Sequence, residues 1–210
     1  MSVPAGTRFI GILPGVDMVE RKSTQANSPT EVYTIDQIQS STTGLFAQTS
    51  TSPVLTGTTE GTLIDGGVGV LTIPANSFAV GDSFSAVLTG HISCDNSEGF
   101  TIRVKAGSTI FVDSGVINLS GTTSRHWKLE INFTIRALGA AGVASIATGG
   151  YFMYNKGTNN IQLEGVNFST ENISTFDTTI SNMLEITGQW SNANPNNTIY
   201  SELFTLTRVK

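Results

Sequence analysis

Two histidines, one cysteine and a few closely spaced carboxylates are the residues of this chain that could do chemistry. His91 and His126 are 35 positions apart, and Cys94 follows His91 by three. A zinc site needs three or four convergent ligands. In a straight strand, side chains three apart point to opposite faces, so His91 and Cys94 do not converge. The expectation is therefore no metal and no cofactor. Asp95 with Glu98, and Glu60 with Asp65, are close enough in sequence to suggest paired carboxylates. Such pairs cleave glycosidic bonds when one is an acid and the other a base or nucleophile. Both pairs fall in turn-like stretches, where Asp and Glu serve solvation and turn hydrogen bonding. No Gly-x-Ser-x-Gly elbow, P-loop or His-Glu-x-x-His occurs. No catalytic constellation stands out, and the chain reads as a non-enzyme, with glycan hydrolysis the remote alternative.

Aromatic rings beside amides are the other chemistry on offer, since they suit sugar recognition. Tyr154, Asn155, Asn159 and Asn160 stand in one polar stretch, and Asn192 and Asn194 in another. These six are the candidate glycan or receptor contacts. The competing reading is ordinary connecting loops rich in turn-forming Asn. Five Asn-x-Ser/Thr sequons (Asn118, Asn132, Asn167, Asn172, Asn196) are unsurprising in a Thr-rich chain.

The positioning elements are strands. From His126 to Ala137 the residues alternate. Trp127, Leu129, Ile131, Phe133, Ile135 and Ala137 make one face, and His126, Lys128, Glu130, Asn132, Thr134 and Arg136 the other. Period-two alternation marks a half-buried strand that needs a second layer over its dry face. Phe84 to Cys94, Phe100 to Lys105, Ala144 to Tyr154, Leu184 to Trp190 and Thr198 to Val209 read the same way. Weaker strands are expected at 68–73, 109–113 and 161–168. Gly149-Gly150 suggests a bulge or a close backbone approach, and the Gly/Ser/Thr composition at 120–124 suggests a loop. Eight or nine strands and no helix predict an all-β, two-sheet antiparallel sandwich of jelly-roll type. An immunoglobulin-like sandwich is the alternative, without its Cys…Trp…Cys signature.

Three segments are expected. Residues 1–48 read as an extended N-terminal arm, 49–62 as a linker or edge strand, and 63–210 as the sandwich. The arm carries two short apolar patches, with Phe9, Ile10, Ile12 and Leu13 in one and Tyr33 and Ile35 in the other. That is too little apolar material for a core of its own. These six residues are the candidate anchor.

Composition narrows the partners. Charged residues make up 13% of the 210, half the usual share, and net charge is −5. The surface is built from Thr, Ser, Asn and Gly, and the eleven Lys and Arg form no cluster. Nucleic acid is not an expected partner. No apolar run approaches the ~20 residues of a membrane-spanning helix, and the N-terminus lacks a signal peptide's basic start and apolar core. Cys94 has no intrachain partner and sits on an apolar strand face, as a small core residue would.

One stretch resembles a known family. Gly69-Val70-Leu71-Thr72-Ile73-Pro74-Ala75-Asn76, followed by Val80-Gly81-Asp82, looks like the strand end and turn of a jelly-roll module in tailed-bacteriophage virion proteins. Thr101 to Lys105, Trp127 to Glu130 and Gln189-Trp190 resemble its later strands, and Arg8 to Asp17 with Tyr33 to Asp36 resemble its anchor segments. The likeness covers about residues 46–210. It implies a virion structural protein: a head fibre, tail appendage or capsid decoration protein, attached to other virion proteins through the arm. It also implies a homotrimer and no catalytic residues. Recognition of a host surface glycan is the alternative from a different class.

Overall fold

The computed structural model describes residues 8–13, 16–25, 28–34, 42–157, 162–172 and 174–209. They divide into two compact units, one up to Thr42 and one from Thr43 to Val209. The first is a three-stranded antiparallel sheet in sequence order: β1 (Arg8–Leu13), β2 (Val16–Gln25) and β3 (Ser28–Thr34). Of the candidate anchor residues, Phe9, Ile10, Ile12 and Leu13 lie on β1 and Tyr33 on β3, while Ile35 lies outside the described residues.

The second unit is a sandwich of two antiparallel sheets. Its strands are β4 (Thr42–Gln48), β5 (Gly61–Thr62), β6 (Gly67–Gly69), β7 (Thr72–Ile73), β8 (Ser83–Cys94), β9 (Glu98–Ala106), β10 (Thr109–Asp113), β11 (Ile117–Leu119), β12 (Thr122–Ala137), β13 (Ser145–Asn155), β14 (Leu163–Asn172), β15 (Asn182–Trp190) and β16 (Thr198–Val209). The larger sheet runs β14-β13-β12-β8-β16-β4-β6. The smaller runs β10-β9-β15-β5, with β11 on β9 and β7 on β15. β8 pairs with β16 in one sheet and the next strands inward along the chain, β9 and β15, pair in the other, while β12-β13-β14 extends the larger sheet as a meander. The expected all-β sandwich is what the chain forms.

The strong alternations fold as the period demands. In β8, Phe84, Ala86, Leu88, Gly90, Ile92 and Cys94 are buried and the residues alternating with them are half-exposed. In β12, Trp127, Leu129, Ile131, Phe133 and Ile135 are buried. Rings fill the space between the sheets: Trp127 and Tyr154 flank Phe152, each with centroids 5.9 Å away, and Phe100 meets Trp190 at 4.8 Å. Each such ring removes 150–250 Å² of surface from water, so these side chains dominate the hydrophobic stabilisation. The Trp127 indole N–H donates to both His91 and Tyr200 carbonyls at 3.1 Å, satisfying the one polar atom of a buried ring. Cys94 is buried, and that burial pushes its thiol up to about 11. The thiolate is the reactive form, so this is an inert core sulfur.

Several boundaries differ from expectation, each for a local reason. The sandwich begins at Thr43, so 43–62 joins it rather than an arm or a linker. Phe46 of β4 packs on Phe204 at 5.6 Å, and Leu55 bridges to Ile199. The 68–73 strand is two short ones: β6 pairs with β4 in the larger sheet and β7 with β15 in the smaller. Val68 and Val70 are consequently exposed, at 71% and 61%. β12 starts at Thr122, earlier than the 120–124 loop allowed, because a bulge between Thr122 and Arg125 absorbs Thr123 and Ser124. Gly149-Gly150 makes a close approach and no bulge, since the register with β12 is continuous there. A Cβ on Gly150 would strike the Glu130 carbonyl oxygen.

A second bulge lies in β16. Ser201 pairs with Gly90 and Leu203 with Thr89, leaving Glu202 as the extra residue. Inward positions are odd before it (Ile199, Ser201) and even after it (Phe204, Leu206). Bulges re-aim side chains in this way.

Candidate functional site

The outer face of the smaller sheet holds a groove of about 630 Å³. Its floor is β15 and its walls are β5 and the 63–71 segment on one side and β9 on the other. Outward residues of β15 and β9 meet in register: Glu185 opposite Lys105, Thr187 opposite Arg103, Gln189 opposite Thr101. Glu60, in the turn before β5, folds over this row. Its carboxylate takes Lys105 Nζ at 2.7 Å, Arg103 Nη1 at 3.1 Å and the Thr187 hydroxyl at 2.6 Å. Arg103 also donates to Asp113 at 2.7 Å and to the Gln189 side-chain oxygen at 2.8 Å. Gln189 in turn donates to the Thr58 carbonyl. Glu185, Met183, Leu71, Thr62 and Asp65 complete the lining.

The electrostatics follow from those contacts. The Lys105 ammonium, then the Thr187 hydroxyl, hold the Glu60 carboxyl below its ordinary 4.5, against the opposing effect of its burial. A general acid for glycoside cleavage needs the opposite shift, because it must carry a proton near neutral pH. Glu60 is thus a fixed anion and a hydrogen-bond acceptor. The groove presents the Glu60, Asp65 and Glu185 carboxylates, the Lys105 ammonium and the Thr62 and Thr187 hydroxyls at fixed spacing.

A depressed carboxyl also makes a statement about acid stability. Glu60, Asp95, Glu98, Glu130, Glu164 and Asp177 are all lowered by hydrogen-bonding partners in the folded state. A group lowered on folding stabilises above its unfolded value and loses that contribution as pH falls through its folded value. The shifts share one sign, so thermal midpoints should fall with growing slope below about pH 4.5. Glu60→Gln should flatten part of that slope. A midpoint independent of pH between 5 and 3 would contradict the arrangement.

The residues singled out from sequence are distributed differently. Tyr154 is 1% exposed. Its hydroxyl accepts from the Ser120 N–H at 2.7 Å and donates to Glu164 at 2.9 Å, and burial pushes its acidity away from neutrality. It is a core residue with a satisfied polar tip, which corrects its reading as a glycan platform: the ring has no open face to offer. Asn155 ends β13 with its carbonyl taking the Thr122 hydroxyl. Asn159 and Asn160 lie outside the described residues. Asn194 donates to Asp95 at 3.0 Å and Glu98 at 2.8 Å, while Asn196 and Asn197 donate to the same two acids. Asn192 is exposed and its backbone carbonyl accepts from Asn197. The Asp95/Glu98 pair therefore ties the 95–97 turn to the 191–197 loop, and these amides lower both acids. Asp65 accepts from Ser50 at 3.2 Å and is not paired with Glu60.

The two histidines are brought together, which the sequence reading did not anticipate. His126 of β12 pairs directly with His91 of β8, their ring centroids 4.2 Å apart. Sequence reasoning also missed the groove. Its signal was present in the alternating cations Arg103 and Lys105 and the matching Glu185, but only the β9·β15 register makes them neighbours.

No family model matches this chain, and no curated protein matches it. Among solved structures it is similar to the CBM2 module of Lactobacillus casei BL23 phage J-1 evolved Dit, at 8% identity and a TM-score of 0.34. That alignment covers 81% of this chain and 97% of the other. Among the described residues, no helix is long and apolar enough to cross a membrane.

Proposed function

We propose that this protein is a phage virion structural protein, without enzymatic activity, in which the sandwich is displayed and the N-terminal unit attaches it to capsid or tail. The observation that carries this reading is the division at Thr42/Thr43 into a small sheet and a much larger sandwich. An appendage needs one part to hold on and another to present. The jelly-roll motifs at Gly69–Asp82 and the anchor-like segments around Phe9 and Tyr33 support the same assignment. Sparse surface charge and exposed apolar residues such as Val68, Val80 and Leu163 suit packing against identical copies, and a trimer closes such a surface around an axis. Purified particles analysed by mass spectrometry should contain the protein at a fixed copy number, and chains lacking residues 1–42 should not be incorporated. Absence of the intact protein from particles sinks the proposal. Light scattering of the isolated chain should give three times the monomer mass.

A second reading, host-surface glycan recognition, is favoured by the polar groove alone. Glu185→Ala, on an outward position that the core does not use, should weaken binding to immobilised host polysaccharide. Undiminished binding would remove the groove from consideration.

A further inference from the structure

We propose that His91, His126 and Glu202 form a binding site for a divalent transition-metal ion, with zinc the best fit. The three residues come from adjacent strands β8, β12 and β16 on the outer face of the larger sheet. Their ligand atoms all lie within 4.8 Å of one another. Register supplies the first two: His126 stands directly opposite His91. The bulge supplies the third. Glu202 is the unpaired residue between Ser201 and Leu203, and its carboxylate oxygen stands 3.1 Å from His91 Nδ1.

The two atoms are within ion-pair range but lack hydrogen-bond geometry. His91 Nδ1 is buried and makes no hydrogen bond, so the carboxylate oxygen lies off the line of a ring N–H. The nitrogen and the carboxylate oxygen stand at the separation of two ligands of one ion. Zinc bonds of 2.0–2.2 Å place tetrahedral ligands about 3.3 Å apart. The 3.1 Å pair already meets that spacing. Rotation of the exposed His126 and Glu202 side chains closes the rest. His91 has less freedom, because Tyr200 stacks on it at 5.8 Å with 29° between the planes. One fixed ligand and two adjustable ones leave a fourth position for water.

Ligand chemistry selects the ion. Two imidazoles and one carboxylate suit zinc and its neighbours, whereas magnesium and calcium require six or more oxygens. Lys128, two residues from His126 along β12 and on the same face, is paired with Glu130 at 2.9 Å, which offsets its repulsion of a cation.

The test uses the full-length chain without a histidine tag, stripped of metal by chelator. Calorimetric titration with zinc chloride should show one equivalent bound and a raised thermal midpoint. His126→Ala and Glu202→Gln should each weaken zinc binding by at least about tenfold. Both side chains are exposed, so midpoints without zinc should stay near the parent's. Magnesium chloride should produce no shift. No zinc binding by the parent chain, undiminished binding by both variants, or an equal response to magnesium would each overturn the proposal.

Discussion

Gly90→Ala is expected to cost about 3 kcal/mol or more, although it adds a single methyl group to a buried position. The cause is the approach of β16. A Cβ at Gly90 would fall on the Tyr200 carbonyl oxygen and lie 2.7 Å from Ser201 Cα. Those are backbone atoms, so no side-chain rotation relieves the clash. That carbonyl is also one of the two acceptors of the Trp127 indole N–H. Pushing β16 away therefore breaks a buried hydrogen bond as well as the ladder. A small domain has only 5–15 kcal/mol in hand, so the loss is large. Urea unfolding checks it: the midpoint should drop sharply with the slope preserved. An unchanged midpoint would mean that the strands do not come this close in solution.

Tyr154→Ala should cost about 3–5 kcal/mol, the range for deleting a large buried aromatic. The ring stacks on Phe152 at 5.9 Å, and its removal leaves a cavity between the sheets. The hydroxyl has a separate role. It takes the Ser120 N–H and bonds the Glu164 carboxylate, which also accepts from the Ser120 hydroxyl and Lys156. Tyr154→Phe keeps the packing and strands the Ser120 N–H, so it should cost about 1–3 kcal/mol. The two variants separate ring from hydroxyl. If Tyr154→Ala proved neutral in stability yet abolished glycan binding, the ring would be a ligand platform after all.

How far the sequence speaks depends on the range of the signal. β8 and β12 are legible because period two runs for ten or more residues, and a strand with one dry face implies a covering layer. Trp127 and Phe133 follow directly as core. β5, β6 and β7 are two or three residues long, too short for any periodicity, and their identity comes from partners far away in the chain. Glu60 could not be placed for the same reason: its role depends on Lys105 and Thr187, 45 and 127 positions on. Tyr154 resembles a loop residue because Asn155-Lys156-Gly157 beside it is polar, while its own position in the β13 alternation is inward. His91 and His126 each occupy outward positions of their strands. Their pairing is a matter of register, which neither strand encodes alone.

The odd residue in β16 divides the strand into two phases. Ahead of Glu202 the strand is written in one phase and behind it in the other, so the final strand behaves like a text with a single inserted letter. Loss of Phe204 or Thr205 would turn Leu206 outward. Loss of residue 202 alone would leave both halves in phase with the core and merely straighten the strand. The core therefore needs no extra residue at this point of β16, and what the bulge adds is a side chain, Glu202, on the outer surface.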